Sequence, residues 1–178
     1  MYKIILAGFG GQGVLSLGQF LAYSAMMGGK EVSWLPSYGP EMRGGTANCS
    51  VIISDTPVAA PVISRPNLLV AMNKPSLIKF IDKVEEGGVI LVNSSLIDIR
   101  VDREDVKVYY IPANELAIEC GTVKAVNIIM LGAINKICEV LPHDKIYEGI
   151  KYGFKAKPQL IEPNIKTYHY GYDHIKTK

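Results

Sequence analysis

The feature that most constrains this sequence is a glycine-rich turn near its start, GFGGQG at residues 8–13. It follows an apolar run at residues 4–7 and precedes a segment with helical periodicity. The G-x-G-x-x-G spacing allows a tight strand-to-helix turn, close approach of backbone to a ligand, and close packing of helix on strand. Because amides at a helix start attract anions, the pattern predicts a ligand-binding turn made by Gly8, Gly10, Gly11, Gln12 and Gly13.

Two alternatives to anion binding follow from the same glycines. The first is that they only allow close packing, and it remains open from the residues alone. The second is a dinucleotide site, which needs Asp or Glu at the end of the second strand to bind ribose. That strand ends at Leu35-Pro36-Ser37, and the nearby acid Glu31 lies at its beginning. We therefore discount a nicotinamide or flavin dinucleotide.

Apolar runs alternate with helical patterns along the chain. This alternation predicts an α/β fold of three layers, Rossmann-like, with a mostly parallel central sheet and helices on both faces. Strands are expected at 2–7, 31–35, 49–54, 68–72, 89–92 and 106–111, the last towards an edge. Helices are expected from 14 to the Gly28-Gly29 stop, at 73–86, after Pro112, at 123–141 with Pro142 as its stop, at 144–154, and at 159–175 with a bend or restart at Pro163.

The composition is that of a globular protein. At 178 residues we expect one domain, residues 1–178, and the net charge of +2 favours neither nucleic acid nor a membrane surface as partner. Cys49, Cys120 and Cys138 form no C-x-x-C pair, so we expect buried thiols and no bound metal. The start of the chain shows no secretion signal, which predicts a cytoplasmic protein. The three histidines are expected at the surface.

A second glycine-rich segment, residues 37–45, follows the second strand. Its glycines allow the backbone to approach another surface closely. Its two charged residues are spaced so that each pairs more easily with a group outside the loop than with the other. A loop on the same side of the sheet as the first turn is a natural ligand or partner surface. We therefore predict that binding residues include Ser37, Tyr38, Glu41, Arg43, Gly44 and Gly45.

The two motifs at this separation, followed by a strand ending in Ser54, resemble the gamma subunit of the 2-oxoacid:ferredoxin oxidoreductases. Asn164 and the later Gly171-Tyr172 are similar to that family's closing helix, and Pro163 departs from it. The resemblance covers nearly the whole chain. It implies that 1–178 is a gamma-type domain of a multi-subunit enzyme that decarboxylates a 2-oxoacid oxidatively and transfers the acyl group to coenzyme A.

The resemblance also implies which components lie elsewhere. Thiamine diphosphate, magnesium and iron–sulfur clusters belong to partner alpha, beta and possibly ferredoxin-like delta subunits, and ferredoxin accepts the electrons. The chain itself is expected to hold no metal and no catalytic residue, so it is an enzyme only as part of the complex. Its two glycine-rich segments are expected to line a coenzyme A channel and an inter-subunit face. The alternative is a stand-alone nucleotide-binding regulatory protein that uses the residue 8–13 turn.

Overall fold

The computed structural model describes residues 1–39 and 45–177. Its strands are β1 (Tyr2–Phe9), β2 (Glu31–Tyr38), β3 (Thr46–Ser54), β4 (Leu68–Ala71), β5 (Val89–Asn93) and β6 (Lys107–Ile111). Its helices are α1 (Val14–Met27), α2 (Lys74–Phe80), α3 (Ala113–Glu119), α4 (Val126–Cys138), α5 (His143–Gly153) and α6 (Ile161–His174). Short 3₁₀ turns, Ile81–Lys83 and Pro158–Leu160, follow α2 and precede α6.

The strands form one sheet in the order β2-β3-β1-β4-β5-β6. The pairs β1–β4, β4–β5 and β5–β6 are parallel, whereas β3 is antiparallel to both of its neighbours, β1 and β2. β2 consequently runs in the same direction as β1 but is separated from it by β3. The predicted mostly parallel sheet is confirmed, and β6 lies at an edge as expected.

Alternate residues of the inner strands pack into two separate hydrophobic cores, one on each face of the sheet. Ile4 and Leu6 of β1 pack into a large core with α1 and α3–α6, whereas Ile5 and Ala7 face a smaller core with α2. This is the period-two alternation of a strand buried on both faces. The predicted three layers are therefore present, with most of the helical mass on one face.

Two predicted helices end earlier than expected. The 73–86 prediction is wrong beyond Phe80, where a 3₁₀ turn follows. Arg103 donates to the carbonyl oxygens of Ile81 and Val84 at 2.8 and 3.0 Å, so a side chain distant in sequence stabilises this ending. The helix predicted at 123–141 ends at Cys138, because Glu139 adopts a left-handed conformation with φ 47° before Pro142 is reached.

Other predicted bounds shift for identifiable reasons. β2 and β3 extend towards each other, to Tyr38 and from Thr46, because they pair as an antiparallel hairpin. Pro163 lies in the first turn of α6, where a missing amide hydrogen leaves no intrahelical bond unmade.

In the part of the chain that the structure describes, no helix has the length and apolar character needed to span a membrane.

α4 and α6 approach each other through two glycines. A Cβ built on Gly132 would lie 2.1 Å from the Tyr168 carbonyl oxygen, and one on Gly171 would lie 2.1 Å from the Ile129 carbonyl oxygen. Both obstacles are backbone, which a rotamer change does not relieve. The two helices therefore pack at a distance that only glycine permits.

We expect Gly132→Ala to lower the free energy of unfolding by about 1–3 kcal/mol, because the methyl group overpacks a backbone contact. Urea denaturation followed by circular dichroism measures this change. A Gly132→Ala variant as stable as the parent would show that the two helices separate without loss, contrary to the close contact described here.

Candidate functional site

The candidate site lies at the carboxyl ends of β1 and β4. α1 follows β1 on the face of the larger core, whereas α2 follows β4 on the opposite face. Neighbouring parallel strands whose helices lie on opposite faces form a crevice outside their carboxyl ends, where α/β proteins bind ligands. The residue 8–13 turn lies at this crevice.

The turn depends on glycine at specific positions. Gly11 and Gly13 have φ values of 94° and 72°, in the left-handed region that glycine tolerates best. A Cβ on Gly8 would lie 2.8 Å from Cβ of Met72 and 2.5 Å from Oε1 of Gln12. A Cβ on Gly11 would meet nothing within 4 Å, so the backbone there is open to a ligand.

Gln12 folds back over the turn. Its Oε1 accepts hydrogen bonds from the Phe9 amide at 2.6 Å and from Nδ2 of Asn73 at 3.2 Å. Its Nε2 lies 3.4 Å from the Met72 carbonyl oxygen. Because Asn73 also caps α2, this side chain links the turn to the end of β4. Gln12 was predicted to bind a ligand, but these contacts make it first a brace for the turn.

The start of α1 is suited to an anion. Gly13 occupies the N-cap position, no side chain caps the helix, and its first turn carries no acidic residue. The first amide hydrogens of a helix lack intrahelical partners, and the helix dipole adds a partial positive charge there. A phosphate or carboxylate group can satisfy these amides.

The second predicted loop meets the first turn directly. Phe9 pairs with Thr46, and the Gly10 amide donates to the Gly45 carbonyl oxygen at 2.9 Å. Ser37 and Tyr38 are exposed at the end of β2, two strand spacings from β1, or roughly 10 Å. Glu41, Arg43 and Gly44 lie outside the described residues. Of the predicted binding residues, the structure thus brings together those of the turn and Gly45, and their binding role remains a prediction.

Sequence reasoning missed a third component, the segment that joins α3 to α4. Val123 and Lys124 lie beside Gly11, where they line a cavity of about 670 Å³ and a second of about 420 Å³. Lys124 is exposed, and it lines both cavities together with Gly11. Its position within an otherwise apolar run was the available signal.

The sheet order gives a structural reason against a dinucleotide. In the Rossmann arrangement the second strand lies beside the first, so that its terminal acid reaches the ribose. Here β3 lies between β1 and β2. An acid at the end of β2 would be a full strand farther from the turn.

The histidines are less exposed than predicted. His143 and His169 are half-buried among tyrosines, and Nδ1 of His143 lies 2.7 Å from the Tyr168 hydroxyl oxygen. Tyr147 contacts Nε2 of His169. The surface prediction holds for His174 alone. Among residues 1–39 and 45–177, no group of three or more His, Cys, Asp or Glu is placed to bind a metal.

The fold and the crevice define an α/β protein with a glycine-rich turn and an uncapped helix start at the carboxyl ends of β1 and β4. A family model described as pyruvate ferredoxin/flavodoxin oxidoreductase matches residues 3–174, so the chain belongs to this family. It is 40% identical over 172 residues to ketoisovalerate oxidoreductase subunit VorA of Methanothermobacter marburgensis, covering 96% of this chain and 36% of that protein. It is also 33% identical over 177 residues to 2-oxoglutarate synthase subunit KorC of Methanocaldococcus jannaschii. That match covers 98% of this chain and 94% of KorC.

Solved structures agree with this assignment. The gamma subunit of a keto/oxoacid ferredoxin oxidoreductase from Geobacter sulfurreducens superposes with a TM-score of 0.82, 27% identity and 97% coverage of both chains. A 2-oxoglutarate:ferredoxin oxidoreductase from Magnetococcus marinus, solved with 2-oxoglutarate, coenzyme A and succinyl-CoA, shares the fold with a TM-score of 0.87 at 23% identity. That match covers 99% of this chain and 32% of the other. The chain thus spans about a third of the length of VorA and nearly all of KorC.

We expect Gln12→Leu to lower the free energy of unfolding by about 1–3 kcal/mol, because it leaves the Phe9 amide and the Asn73 side chain without their acceptor. Urea denaturation and hydrogen exchange at Phe9 measure the effect. Gln159→Leu, at an exposed position, is the matched control and should change stability by no more than about 0.5 kcal/mol. Equal effects of the two variants would contradict the bracing role of Gln12.

The buried thiol of Cys49 gives a second prediction. Burial raises its pKa from 9.0 to about 12, so the folded protein retains a proton that the unfolded chain releases above pH 9. The contribution of the protonated Cys49 thiol to the free energy of unfolding should therefore be lost as pH rises from about 9 to 12. At neutral pH, iodoacetamide should label Cys49 only after unfolding, as read by peptide mass spectrometry. Rapid labelling of the native protein would show that Cys49 is accessible.

Proposed function

We propose that this chain is the gamma-type component, residues 1–178 as one domain, of a cytoplasmic 2-oxoacid:ferredoxin oxidoreductase. In this role it supports the coenzyme A-dependent oxidative decarboxylation of a 2-oxoacid. Its family membership and its likeness to KorC over nearly the whole of both proteins support the proposal. The observation that carries it is the hydrogen bond from Gly10 to Gly45, which joins two side-chain-poor segments at the mouth of the crevice.

Coenzyme A fits the chemistry of this crevice. Its diphosphate needs donors and positive charge, which the uncapped amides of α1 and the Lys124 ammonium group provide. The open backbone at Gly11 leaves room for phosphate oxygens to approach. We assign diphosphate binding to Gly11, Gly13 and Lys124, with Gly8, Gly10 and Gln12 maintaining the shape of the turn.

The rest of the second loop is assigned to the same surface. Ser37, Tyr38, Gly44 and Gly45 line the channel and the inter-subunit face, Arg43 contacts a phosphate or a partner carboxylate, and Glu41 positions the loop. The position of Gly45 beside the turn supports this assignment.

The redox chemistry is proposed to belong to partner subunits. Alpha and beta subunits hold thiamine diphosphate and magnesium, these or a delta subunit hold the iron–sulfur clusters, and ferredoxin accepts the electrons. We assign no catalytic residue and no metal ligand to this chain. Its contribution is to bind coenzyme A beside the reaction centre of its partners. The alternative of a stand-alone nucleotide-binding regulator finds no support among the relatives.

The test is reconstitution with the chains encoded beside it, assayed with pyruvate, 2-oxoglutarate and 2-oxoisovalerate and with ferredoxin as acceptor. We expect Lys124→Ala to raise the KM for coenzyme A roughly tenfold or more, because a charge-assisted hydrogen bond contributes about 1.5–3 kcal/mol. Arg43→Ala should raise the same KM or weaken assembly, as measured by size-exclusion chromatography.

Lys79→Ala is the matched control, because Lys79 is exposed on α2 at the opposite face of the sheet. It should leave both KM and assembly unchanged. A native protein that elutes without thiamine- or iron-containing partners, and that restores no coenzyme A-dependent activity, would overturn the proposed function.

A further inference from the structure

Five aromatic side chains of α5 and α6 form a contiguous group outside the linings of the two cavities described above. Each ring has at least two others of the group around it, with centroids 4.8–6.2 Å apart. We call this group the tyrosine–histidine cluster, and its members are His143, Tyr147, Tyr168, His169 and Tyr172. The crevice and its proposed function make no use of it.

The hydrogen-bond directions around Tyr168 follow from one backbone amide. The Leu141 amide is always a donor, and it donates to Oδ1 of Asn135 at 3.1 Å. Nδ2 of Asn135 therefore donates to the Tyr168 hydroxyl oxygen, at 2.9 Å. Among the described residues, the other partner of this hydroxyl is Nδ1 of His143, at 2.7 Å. The Tyr168 hydroxyl thus donates its hydrogen to Nδ1, which is the unprotonated nitrogen of the neutral imidazole ring.

This arrangement holds a phenol hydrogen against a base inside the core. Tyr168 is 0% exposed, and burial raises the pKa of its hydroxyl group, so the phenol retains its proton. A buried phenolate is disfavoured because an unpaired buried charge is costly. If the ring loses an electron, its hydroxyl becomes strongly acidic, and Nδ1 of His143 is placed to take the proton. His143 is half-buried, so the imidazolium that forms keeps part of its contact with solvent.

A second tyrosine–histidine pair connects Tyr168 to the surface. The Tyr147 hydroxyl contacts Nε2 of His169, and the half-buried Tyr147 ring lies 6.1 Å from the Tyr168 ring. Tyr172 lies 6.2 Å from Tyr168, but Nζ of Lys136 lies over its ring at 4.8 Å. A cation at that distance disfavours loss of an electron from the ring. The route between Tyr168 and an oxidant at the surface therefore passes through Tyr147.

We propose that the tyrosine–histidine cluster is a one-electron redox site, in which Tyr168 is oxidised to a neutral tyrosyl radical while its proton moves to His143. The O–H bond of Tyr168 breaks, an N–H bond forms at Nδ1 of His143, and one electron leaves through Tyr147. The oxidant is an oxygen-centred radical such as a peroxyl radical, which the electron reduces to the peroxide anion. A thiolate that returns one electron, and becomes a thiyl radical, restores the Tyr168 hydroxyl and neutral His143. This activity is independent of the proposed function.

Flash oxidation of the full chain by ruthenium tris-bipyridine, with persulfate as electron acceptor, tests the inference without any variant. Electron paramagnetic resonance should detect a persistent tyrosyl signal, because the buried Tyr168 ring is shielded from the radical coupling that removes exposed tyrosyl radicals. In protein whose histidines carry a nitrogen isotope label, this signal should show the altered coupling to a histidine nitrogen. A signal that decays like that of free tyrosine, or one without histidine coupling, would overturn the inference.

The matched variants are Tyr168→Phe and Tyr170→Phe. Tyr170 lies on the same helix, but its hydroxyl donates to Glu119 at 2.9 Å and its ring stacks on His174 outside the cluster. Tyr168→Phe should lose most of the persistent signal, whereas Tyr170→Phe should retain it, with thermal unfolding showing both to be folded. Equal loss in the two variants, or an intact signal in Tyr168→Phe, would contradict the assignment of the radical to Tyr168.

His143→Gln tests the proton transfer. A glutamine side chain accepts a hydrogen bond but does not take up the proton at neutral pH. The parent should form its radical more slowly in deuterated water, because a proton moves with the electron. His143→Gln should lose both this solvent isotope effect and most of the persistent signal. A variant that keeps the signal and the isotope effect of the parent would show that His143 is not the proton acceptor, and the inference would fall.

Discussion

The arrangement of this molecule depends on one antiparallel strand in an otherwise parallel sheet. Because β3 runs against β1, its first residue lies beside the last residue of β1, and Gly10 donates to Gly45. Gly10 and Gly45, which are 35 positions apart in the sequence, are thereby brought to one edge of the sheet. A parallel β3 would have placed its start at the opposite end of the sheet. The same insertion separates β2 from β1, which removes the geometry that a dinucleotide site requires.

The crevice presents backbone groups to a ligand more than it presents side chains. Its donors are the uncapped amides of α1, and Gln12 fixes the turn that presents them, through contacts to Phe9 and Asn73. Lys124 contributes a cation from the segment before α4. Such a surface recognises an anionic group, whereas bond-making chemistry needs acids, bases or nucleophiles at the reacting atoms. This is the physical basis for our proposal that the chain contributes binding and that partner subunits carry the chemistry.

The helical layer connects stability to the site. α4 packs on α6 through Gly132 and Gly171 at a distance that excludes a methyl group. That contact sets the separation of the two helices, and Asn127 of α4 and Asn164 of α6 both line the larger cavity. A change in the α4–α6 packing would therefore alter the width of the cavity as well as the free energy of unfolding. The glycines of the helices thus influence the site as the glycines of the turn do.

The local pattern of residues determined much of this protein. Period-two and helical periodicities predicted the α/β class and its principal elements, and glycine spacing predicted the turn, because these signals act within a few residues. The tertiary structure decided the early end of α2, through Arg103. It also decided the bracing role of Gln12, the half-burial of His143 and the contribution of Lys124. Each of these depends on contacts between residues far apart in the chain, and a linear pattern does not specify which surfaces the packed elements bring together.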